Sequence, residues 1–172
     1  MGTQNTYTSG PLRRSHLRHL LDNTFGLTLA TASWSTLGKY IDDMSMNLNP
    51  TISTVKNILD ETEVIDEGYE PSMEAGTIYL DPGDSLYPKI KSIMMDRQMG
   101  DECRTYLMEI LVDKTTSPYD AWVEECIVKV QSYGGGQGGV NAPITITPCG
   151  NRIKGTAAYA DGVWTFTAAA NG

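Results

Sequence analysis

The residues that could bind a metal ion are two histidines near the N-terminus. His16 and His19 stand three positions apart, a spacing that places two side chains on one face of a helix. A zinc site needs three or four ligands, and no third ligand is evident among the neighbouring Arg13, Arg14 and Arg18, which would repel a cation. The sequence therefore favours surface histidines in a basic segment over a metal site.

Adjacent carboxylates and a glycine-rich segment are the other features that could serve catalysis. Asp42–Asp43 and Glu124–Glu125 are sequence neighbours, and neighbouring side chains on a strand point to opposite faces, so neither pair can share a proton. The segment Gly134–Gly139 lacks the Lys-Ser/Thr of a phosphate-binding loop, which favours a flexible hairpin connection. We therefore expect no enzyme activity and no cofactor.

The thiols and indoles also fit structural roles. The three cysteines are Cys103, Cys126 and Cys149. They form no CxxC pair, so we expect reduced thiols rather than a redox or zinc unit. The three tryptophans are Trp34, Trp122 and Trp164. They lie at or within strand-like runs, which favours packing in a core or at its rim over a platform that stacks on a ligand.

The overall charge excludes several classes of partner. The chain has 172 residues, with 13 Lys and Arg against 21 Asp and Glu, and a net charge of -8. This charge opposes tight binding to nucleic-acid phosphates or anionic lipids, and no apolar run is long enough to span a membrane. Met1–Thr6 fits the N-myristoylation pattern, but that pattern is short and we expect no lipidation.

The N-terminal part of the chain is basic, while the rest is acidic. Residues 1–31 contain three arginines and a single acid, Asp22. We therefore divide the chain into a basic arm, residues 1–32, and a β domain, residues 33–172. Leu12, Leu17, Leu20 and Leu21 have the spacing of a short helix within the arm. Two readings of the arm stay open, a flexible segment that docks on an acidic neighbour and a solvated tail.

The acids are concentrated between Asp60 and Asp84, a stretch with no Lys or Arg. The nine acids are Asp60, Glu61, Glu63, Asp66, Glu67, Glu70, Glu74, Asp81 and Asp84. Such a run is typical of a solvated hairpin or loop, and otherwise of an interface or a channel lining.

Periodicity predicts one helix in a chain that is otherwise β. Leu86, Ile90, Ile93 and Met94 recur at helical spacing, and Asp84 or Ser85 can cap a helix over residues 85–98. Strand patterns occur elsewhere, with period-two alternation or short apolar runs. They cover residues 44–48, 106–112, 126–131, 144–146 and 164–166. The expected fold is mainly β with one flanking helix, an antiparallel β-sandwich or barrel-like arrangement.

The order of short sequence signals along residues 33–168 resembles a known family. The signals are Trp34–Gly38, Asn49–Pro50, Lys56–Ile58, Gly68–Pro71, Met95–Gly100, Ser132–Gly135, Gly150–Gly155 and Trp164–Phe166. Together they resemble the major tail (tail tube) proteins of long-tailed, siphophage-type bacteriophages. The resemblance implies a structural virion protein without a cofactor.

The resemblance also implies an assembly and its partners. Six copies would close into a ring, rings would stack into a tail tube, and DNA would pass through the tube without specific binding. Further partners would be a tape measure protein, a tail-tip initiator and a tail terminator. Assembly would take place in the bacterial host cytoplasm, and no membrane would be involved.

A loop in this family reaches the next ring, which identifies candidate inter-ring residues here. The acidic candidates are Glu61, Glu63, Asp66, Glu67 and Glu70, and the basic candidates are Arg13, Arg14 and Arg18. We expect opposite charges on these two sets to set the register of stacking, with several weak pairs acting together.

Two alternatives remain at this stage. The first is a tube protein of a contractile phage, a tailocin or a type VI secretion-like machine. The second is a monomeric β-barrel protein that binds a ligand through its tryptophans and the acidic segment.

Overall fold

The computed structural model describes residues 6–170. Residues 1–5, which hold most of the myristoylation pattern and the start of the predicted arm, lie outside the described residues, as do residues 171–172. None of the described helices is long and apolar enough to cross a membrane.

The secondary structure is almost entirely β. The strands are β1 (Leu17–Asp22), β2 (Trp34–Leu37), β3 (Met44–Asn47), β4 (Pro50–Lys56), β5 (Thr62–Tyr69), β6 (Ser72–Ala75), β7 (Arg104–Leu111), β8 (Tyr119–Val130), β9 (Ile144–Pro148), β10 (Ile153–Ala160) and β11 (Val163–Ala168). Within the described part of the chain there is one α-helix, α1 (Tyr87–Met95), with short 3₁₀ turns at Arg14–His16, Leu29–Thr31 and Gly100–Cys103. The predicted mainly β fold with one flanking helix is confirmed.

Nine strands form one curled antiparallel sheet that is branched at β8. Seven strands follow the order β2-β1-β7-β8-β9-β6-β3, and β10 and β11 branch from this path. The long strand β8 makes the branch because its first half pairs with β10 while its second half pairs with β9. The remaining two strands, β4 and β5, form a separate two-stranded sheet.

Two hydrophobic cores lie on opposite faces of the central strands. Leu21 of β1 and Leu107 of β7 face the first core, which is closed by α1 through Leu86, Ile90 and Ile93. Because side chains alternate along a strand, the neighbouring Leu20 and Met108 face the second core, together with Tyr119 and Trp164. The central strands are therefore buried on both faces.

The apolar stripe of helix α1 agrees with the prediction from periodicity. Leu86, Ile90 and Ile93 are buried and Met94 is half-buried, so the stripe faces the first core. The helix covers Tyr87–Met95 and is shorter than the predicted 85–98, and the predicted cap is wrong, because the residue before the helix is Leu86 and it has no side-chain cap bond. Asp84 accepts a hydrogen bond from the backbone N–H of Leu86 at 2.9 Å, in the turn before the helix. The left-handed turn after the helix falls at Arg97, with φ +52°.

The predicted short helix in the basic arm is wrong. Residues Leu17–Asp22 form strand β1, which pairs with β2 on one side and β7 on the other. The expected surface histidines are also wrong, because His16 and His19 are both buried. From Leu17 onward the basic segment is an integral strand of the sheet rather than a flexible arm, and the predicted boundary at residue 32 does not coincide with a break in the sheet.

Candidate assembly surfaces

The β4–β5 hairpin projects from the rest of the molecule. Its strands contact each other extensively but make no comparable contact with any other element. Asn49 holds its base, where the side-chain amide donates to the carbonyl oxygen of Glu70 at 2.9 Å and to Ser72 at 3.2 Å. An isolated two-stranded hairpin is at best marginally stable in water, so this element is a candidate for contact with another chain.

Apolar side chains cover both faces and the tip of this hairpin. Ile52 and Val64 lie on one face, whereas Val55 and Ile65 lie on the other, as the strand register requires. All four are exposed, and Ile58 at the tip is as accessible as in an extended chain, at 102%. Because apolar residues occupy both faces, covering one face alone would leave the other in water.

The predicted acidic contact residues all lie on or beside this hairpin. Glu63, Asp66 and Glu67 belong to β5, with Glu61 just before it and Glu70 just after it, and all five are exposed. This part of the acidic run therefore lies on an exposed hairpin of the single subunit. Glu61 accepts a hydrogen bond from the Asn57 side chain at 2.6 Å, and Asp66 accepts one from the backbone N–H of Gly68 at 2.9 Å.

The three predicted basic residues are not equivalent. Arg14 donates to the carbonyl oxygens of Leu17 and Met44, at 2.6 and 2.9 Å. Arg18 lies over the ring of Trp164, 5.6 Å from its centroid. Only Arg13 is exposed without a charged or aromatic partner among residues 6–170. Exchanging all three for acids would therefore also remove contacts of Arg14 and Arg18 within the subunit.

A chain of charged and polar side chains closes one end of the first core. His19 donates to Glu109 at 3.1 Å, and Arg152 bridges Glu109 at 2.6 Å and Glu124 at 3.1 Å. Burial by itself raises the pKa of Glu109, but the hydrogen bonds from His19 and Arg152 outweigh burial and leave the pKa of this carboxyl below its ordinary value. The chain of contacts links β1, β7, β8 and the segment before β10, so it acts as a structural brace.

One face of the sheet formed by β3, β6, β9 and the second half of β8 is open and polar. Five side chains on this face carry a small hydroxyl or an amide, namely Ser45, Asn47, Ser72, Thr145 and Thr147. Glu74 lies among them, and β8 contributes the half-buried Ile127 and Lys129. Lys129 is the one cation in these strand segments, and its ammonium group donates to the carbonyl oxygen of Gln98 at 2.8 Å. This face therefore presents hydroxyls and one carboxylate but no unengaged cation.

The tryptophans and the acidic segment do not come together. Trp164 is buried in the second core, while Trp34 and Trp122 are half-buried, in agreement with the predicted packing role. Arg152 covers the Trp122 ring at 5.8 Å. The hairpin is anchored to β3 and β6 instead, so a ligand site built from indoles and these acids has no geometric basis here.

The cysteines and the glycine-rich segment have structural surroundings. All three thiols are free, with Cys103 and Cys126 buried and Cys149 exposed, and burial raises the pKa of Cys126 well above its ordinary value. Gly134 exchanges two backbone hydrogen bonds with Asn141, and Gly139 packs against the Tyr79 ring. Among residues 6–170 no three His, Cys, Asp or Glu side chains are grouped so that they could hold a metal ion.

Solved structures with this architecture are components of tails and related injection machines. The chain resembles the SPP1 tail tube with a TM-score of 0.59 and 17% identity, over 88% of this chain and 82% of that one. It resembles the tail of an empty GTA particle, refined with C6 symmetry, with a TM-score of 0.57 and 12% identity, over 83% and 97% of the two chains. No protein-family model and no curated protein matches the chain.

A contractile system is also among the structural neighbours. The sheath/tube terminator of the extracellular contractile injection system PVC matches with a TM-score of 0.52 and 10% identity, over 86% of this chain and 99% of that one. At such low identities the similarity defines the fold. The chain has the β-rich fold of tail tube proteins, and the resemblance found in the sequence is confirmed at the level of the fold.

Proposed function

We propose that the chain is the tube subunit of a siphophage-type tail, a structural protein without enzyme activity. Six copies close into a ring, rings stack into a tube, and the tube conducts DNA during ejection. The observation that carries this proposal is the β4–β5 hairpin, an element whose apolar side chains are not covered by any other part of residues 6–170. The C6 symmetry of the similar GTA tail supports the choice of six.

The hairpin docks on neighbouring copies mainly through its apolar side chains. Burying one Val, Leu or Ile side chain contributes about 1.5–3 kcal/mol, whereas one exposed ion pair contributes about 0.2–1 kcal/mol. Ile52 and Val64 lie on the face opposite to Val55 and Ile65, so we place the hairpin between two copies, with each face in contact with one neighbour. The flanking acids, Glu63, Asp66 and Glu67, then refine the register through pairs such as one with Arg13 of another copy.

The open polar face of β3, β6, β9 and β8 lines the channel. A polyanion binds where cations release its counterions, and this face carries Glu74 but no unengaged cation. Its short hydroxyl side chains, such as Ser45 and Thr147, leave the wall smooth. DNA therefore passes along it without specific binding, as the net charge of -8 also favours.

The other partners follow from a tube of limited length. A tape measure protein occupies the channel during assembly, an initiator at the tail tip starts the tube, and a terminator ends it. The similarity to a sheath/tube terminator supports a terminator with a related fold. The finished protein resides in the virion tail after assembly in the host cytoplasm.

Electron microscopy of the purified chain tests this proposal directly. We expect rings or tubes about a sixfold axis, with the mass of a ring equal to that of six chains.

A thiol label locates the channel wall. Thr147→Cys on a Cys149→Ser background is labelled with maleimide-gold. Val163→Cys on the same background is the control, at another exposed strand position. Label on the tube axis for the first variant only supports the assignment, whereas monomers under all salts and concentrations contradict the proposal.

A contractile tail or injection system is the second candidate, because one structural neighbour belongs to such a system. Micrographs of the particles that contain this chain distinguish the two, since a contractile machine surrounds its tube with a sheath.

A further inference from the structure

A groove with uncompensated positive charge lies between the end of α1 and the end of β8. Met94, Arg97 and Met99 come from the helix and the segment after it, while Lys129 and Tyr133 come from β8 and the segment after it. The groove thus contains two cations, and none of the described residues that line it is acidic. In a chain with a net charge of -8, such a surface attracts acidic groups of a partner.

Neither cation pairs with a carboxylate within residues 6–170. The ammonium group of Lys129 donates to the carbonyl oxygen of Gln98 at 2.8 Å and lies 3.3 Å from the sulfur of Cys103, and neither of these acceptors is a carboxylate. The side chain of Arg97 is exposed. The groove therefore keeps a positive charge that carboxylates of another chain can neutralise.

The groove also exposes apolar surface. Met99 is 76% exposed and Tyr133 is 56% exposed. Strand β7 pairs with β8 only as far as Ile127, so no described strand covers the last residues of β8 on that side. Methionine side chains are flexible and adapt to an apolar partner. The occupant that fits this groove therefore has apolar side chains next to carboxylates.

The tip of the β4–β5 hairpin has both properties. Ile58 is fully exposed at the tip, and the acids Glu61 and Glu63 follow within a few residues and are exposed as well. The nearby Lys56 already pairs with Asp60 at 3.1 Å. The remaining charge of the tip is therefore negative, opposite to that of the groove.

The groove and the hairpin lie at opposite ends of the sheet. Val130 of β8 is in the row of the sheet that contains Met44 of β3, and the groove continues past Val130. The hairpin leaves the sheet at the other end of β3 and β6, next to the pair of Asn47 and Ser72. Strand β4 has seven residues and spans roughly 23 Å. The tip of one subunit is therefore placed to reach the groove of a copy that follows it along the strand direction.

We propose that the tip of the β4–β5 hairpin enters this groove in another copy of the chain. Ile58 packs against Met99 and Tyr133, and the carboxylates of the tip pair with Arg97 and Lys129. Because the tip and the groove are different surfaces, the contact is head-to-tail and repeats from copy to copy. The inference rests on the proposed function, since it names the surface that receives the hairpin in one of the two copies that the hairpin contacts.

Cross-linking of assembled tubes tests the contact. Leu59→Cys places a thiol at the exposed tip, and Ser132→Cys places one in the lining of the groove. Both are introduced on a Cys149→Ser background, and the tubes are treated with a short bismaleimide. The remaining thiols, of Cys103 and Cys126, are buried and should not react. Because each subunit has one thiol on each side of the contact, we expect a ladder of dimers, trimers and longer products on a denaturing gel.

Two control variants on the same background make this result specific. Leu59→Cys alone should give dimers at most. Leu59→Cys with Thr116→Cys moves the second thiol to the exposed turn before β8, at the other end of this strand from the groove, and should give no ladder. Products of the Leu59→Cys, Ser132→Cys tubes that stop at the dimer, or an equal ladder with Thr116→Cys, would overturn the inference and leave the proposed function intact. Absence of tubes from the wild-type chain would instead overturn the proposed function, and the inference with it.

Charge reversal tests the electrostatic part without a label. Arg97→Glu should raise the concentration needed for tube assembly at low salt by about two- to fivefold, the effect of one exposed ion pair, with an unchanged midpoint of unfolding. Lys91→Glu is the matched control, because Lys91 is exposed on α1 and does not line the groove, and it should leave this concentration unchanged. Equal concentrations for Arg97→Glu and wild type, or equal shifts for both variants, would overturn the pairing.

Discussion

The body of the molecule and the β4–β5 hairpin are both antiparallel β structure, but only the body has a core. In the body, central strands such as β7 are buried on both faces by two hydrophobic cores. In the hairpin, two strands of similar length are paired in the same way. Their apolar side chains, such as Ile52, Val64 and Ile65, remain exposed. Strand pairing is thus common to both regions, while burial is not.

Folding and assembly therefore depend on different residues of the chain. Residues that stabilise the subunit face the two cores, and their replacement should lower the free energy of unfolding. Among residues 6–170 the exposed apolar side chains of the hairpin have no core to pack against, so their replacement should leave folding unchanged and affect contacts between copies.

Ile90→Asp should produce the largest loss of stability. Ile90 is buried between α1 and the first core, so the variant buries an unpaired carboxylate and loses apolar contacts, at a cost of about 4–5 kcal/mol. Lys91→Asp is the matched control, because Lys91 is exposed on the same helix. Chemical denaturation of both variants measures the effect, and equal midpoints for Ile90→Asp and wild type would disprove the helix register.

Glu109→Gln should produce the next largest loss. The carboxylate is buried and accepts from His19 and Arg152, so removing its charge leaves the Arg152 guanidinium without its shortest ion pair. We expect a loss of about 2–4 kcal/mol in the free energy of unfolding. Glu125→Gln is the comparison, since Glu125 pairs with Arg104 at a more exposed position and should cost less than about 1 kcal/mol. Similar losses for both variants would argue against the brace.

The loss of folding stability at acid pH should depend on Glu109. Its folded pKa is lowered from the ordinary value of 4.5. Its contribution is therefore fully present above about pH 4.5 and is lost as the pH falls through the lower folded pKa. Thermal melts between pH 7 and pH 3 should show a smaller acid-induced fall for Glu109→Gln than for wild type. Parallel curves for the two proteins would show that this carboxyl is not involved.

Arg14→Glu and Arg13→Glu should differ although the residues are adjacent. Arg14 bonds two backbone carbonyl oxygens, so its replacement should cost about 1–3 kcal/mol. Arg13 has an exposed side chain, and its replacement should change unfolding by less than about 0.5 kcal/mol while shortening tubes at low salt. Restored tube length on adding Glu63→Lys to Arg13→Glu would support their pairing, and normal tubes with Arg13→Glu alone would exclude a docking role for Arg13.

The sequence was sufficient to predict the elements whose two faces differ. Helix α1 and strands such as β3 and β9 each bury one face, so their periodicity shows directly in the residue pattern. Strand β1 was not predicted, because both of its faces are buried and the spacing of its apolar residues is the same as in a helix. Strand β10 escaped because it contains small residues, among them Gly155, where a Cβ would collide with Phe166 of β11.

The candidate site was predicted in part, since the acids that flank the hairpin are conspicuous in the sequence. The apolar residues between them, such as Ile52 and Val64, carry no such signal, because in a sequence an exposed apolar side chain looks the same as a buried one. Arg14 and Arg18 resembled free surface cations for a related reason, as their partners are backbone carbonyls and a distant ring. These contacts depend on tertiary structure.

The most direct test of the division between body and hairpin is a hairpin variant studied for both folding and assembly. Ile58→Ser with Val64→Ser removes apolar surface from the tip and from one face, and Val140→Ser with Val163→Ser is the control at exposed positions of the body. We predict that both double variants unfold within about 0.5 kcal/mol of wild type, and that only the hairpin variant fails to form tubes in electron micrographs. Normal tubes from the hairpin variant, or a marked loss of its stability, would contradict the account.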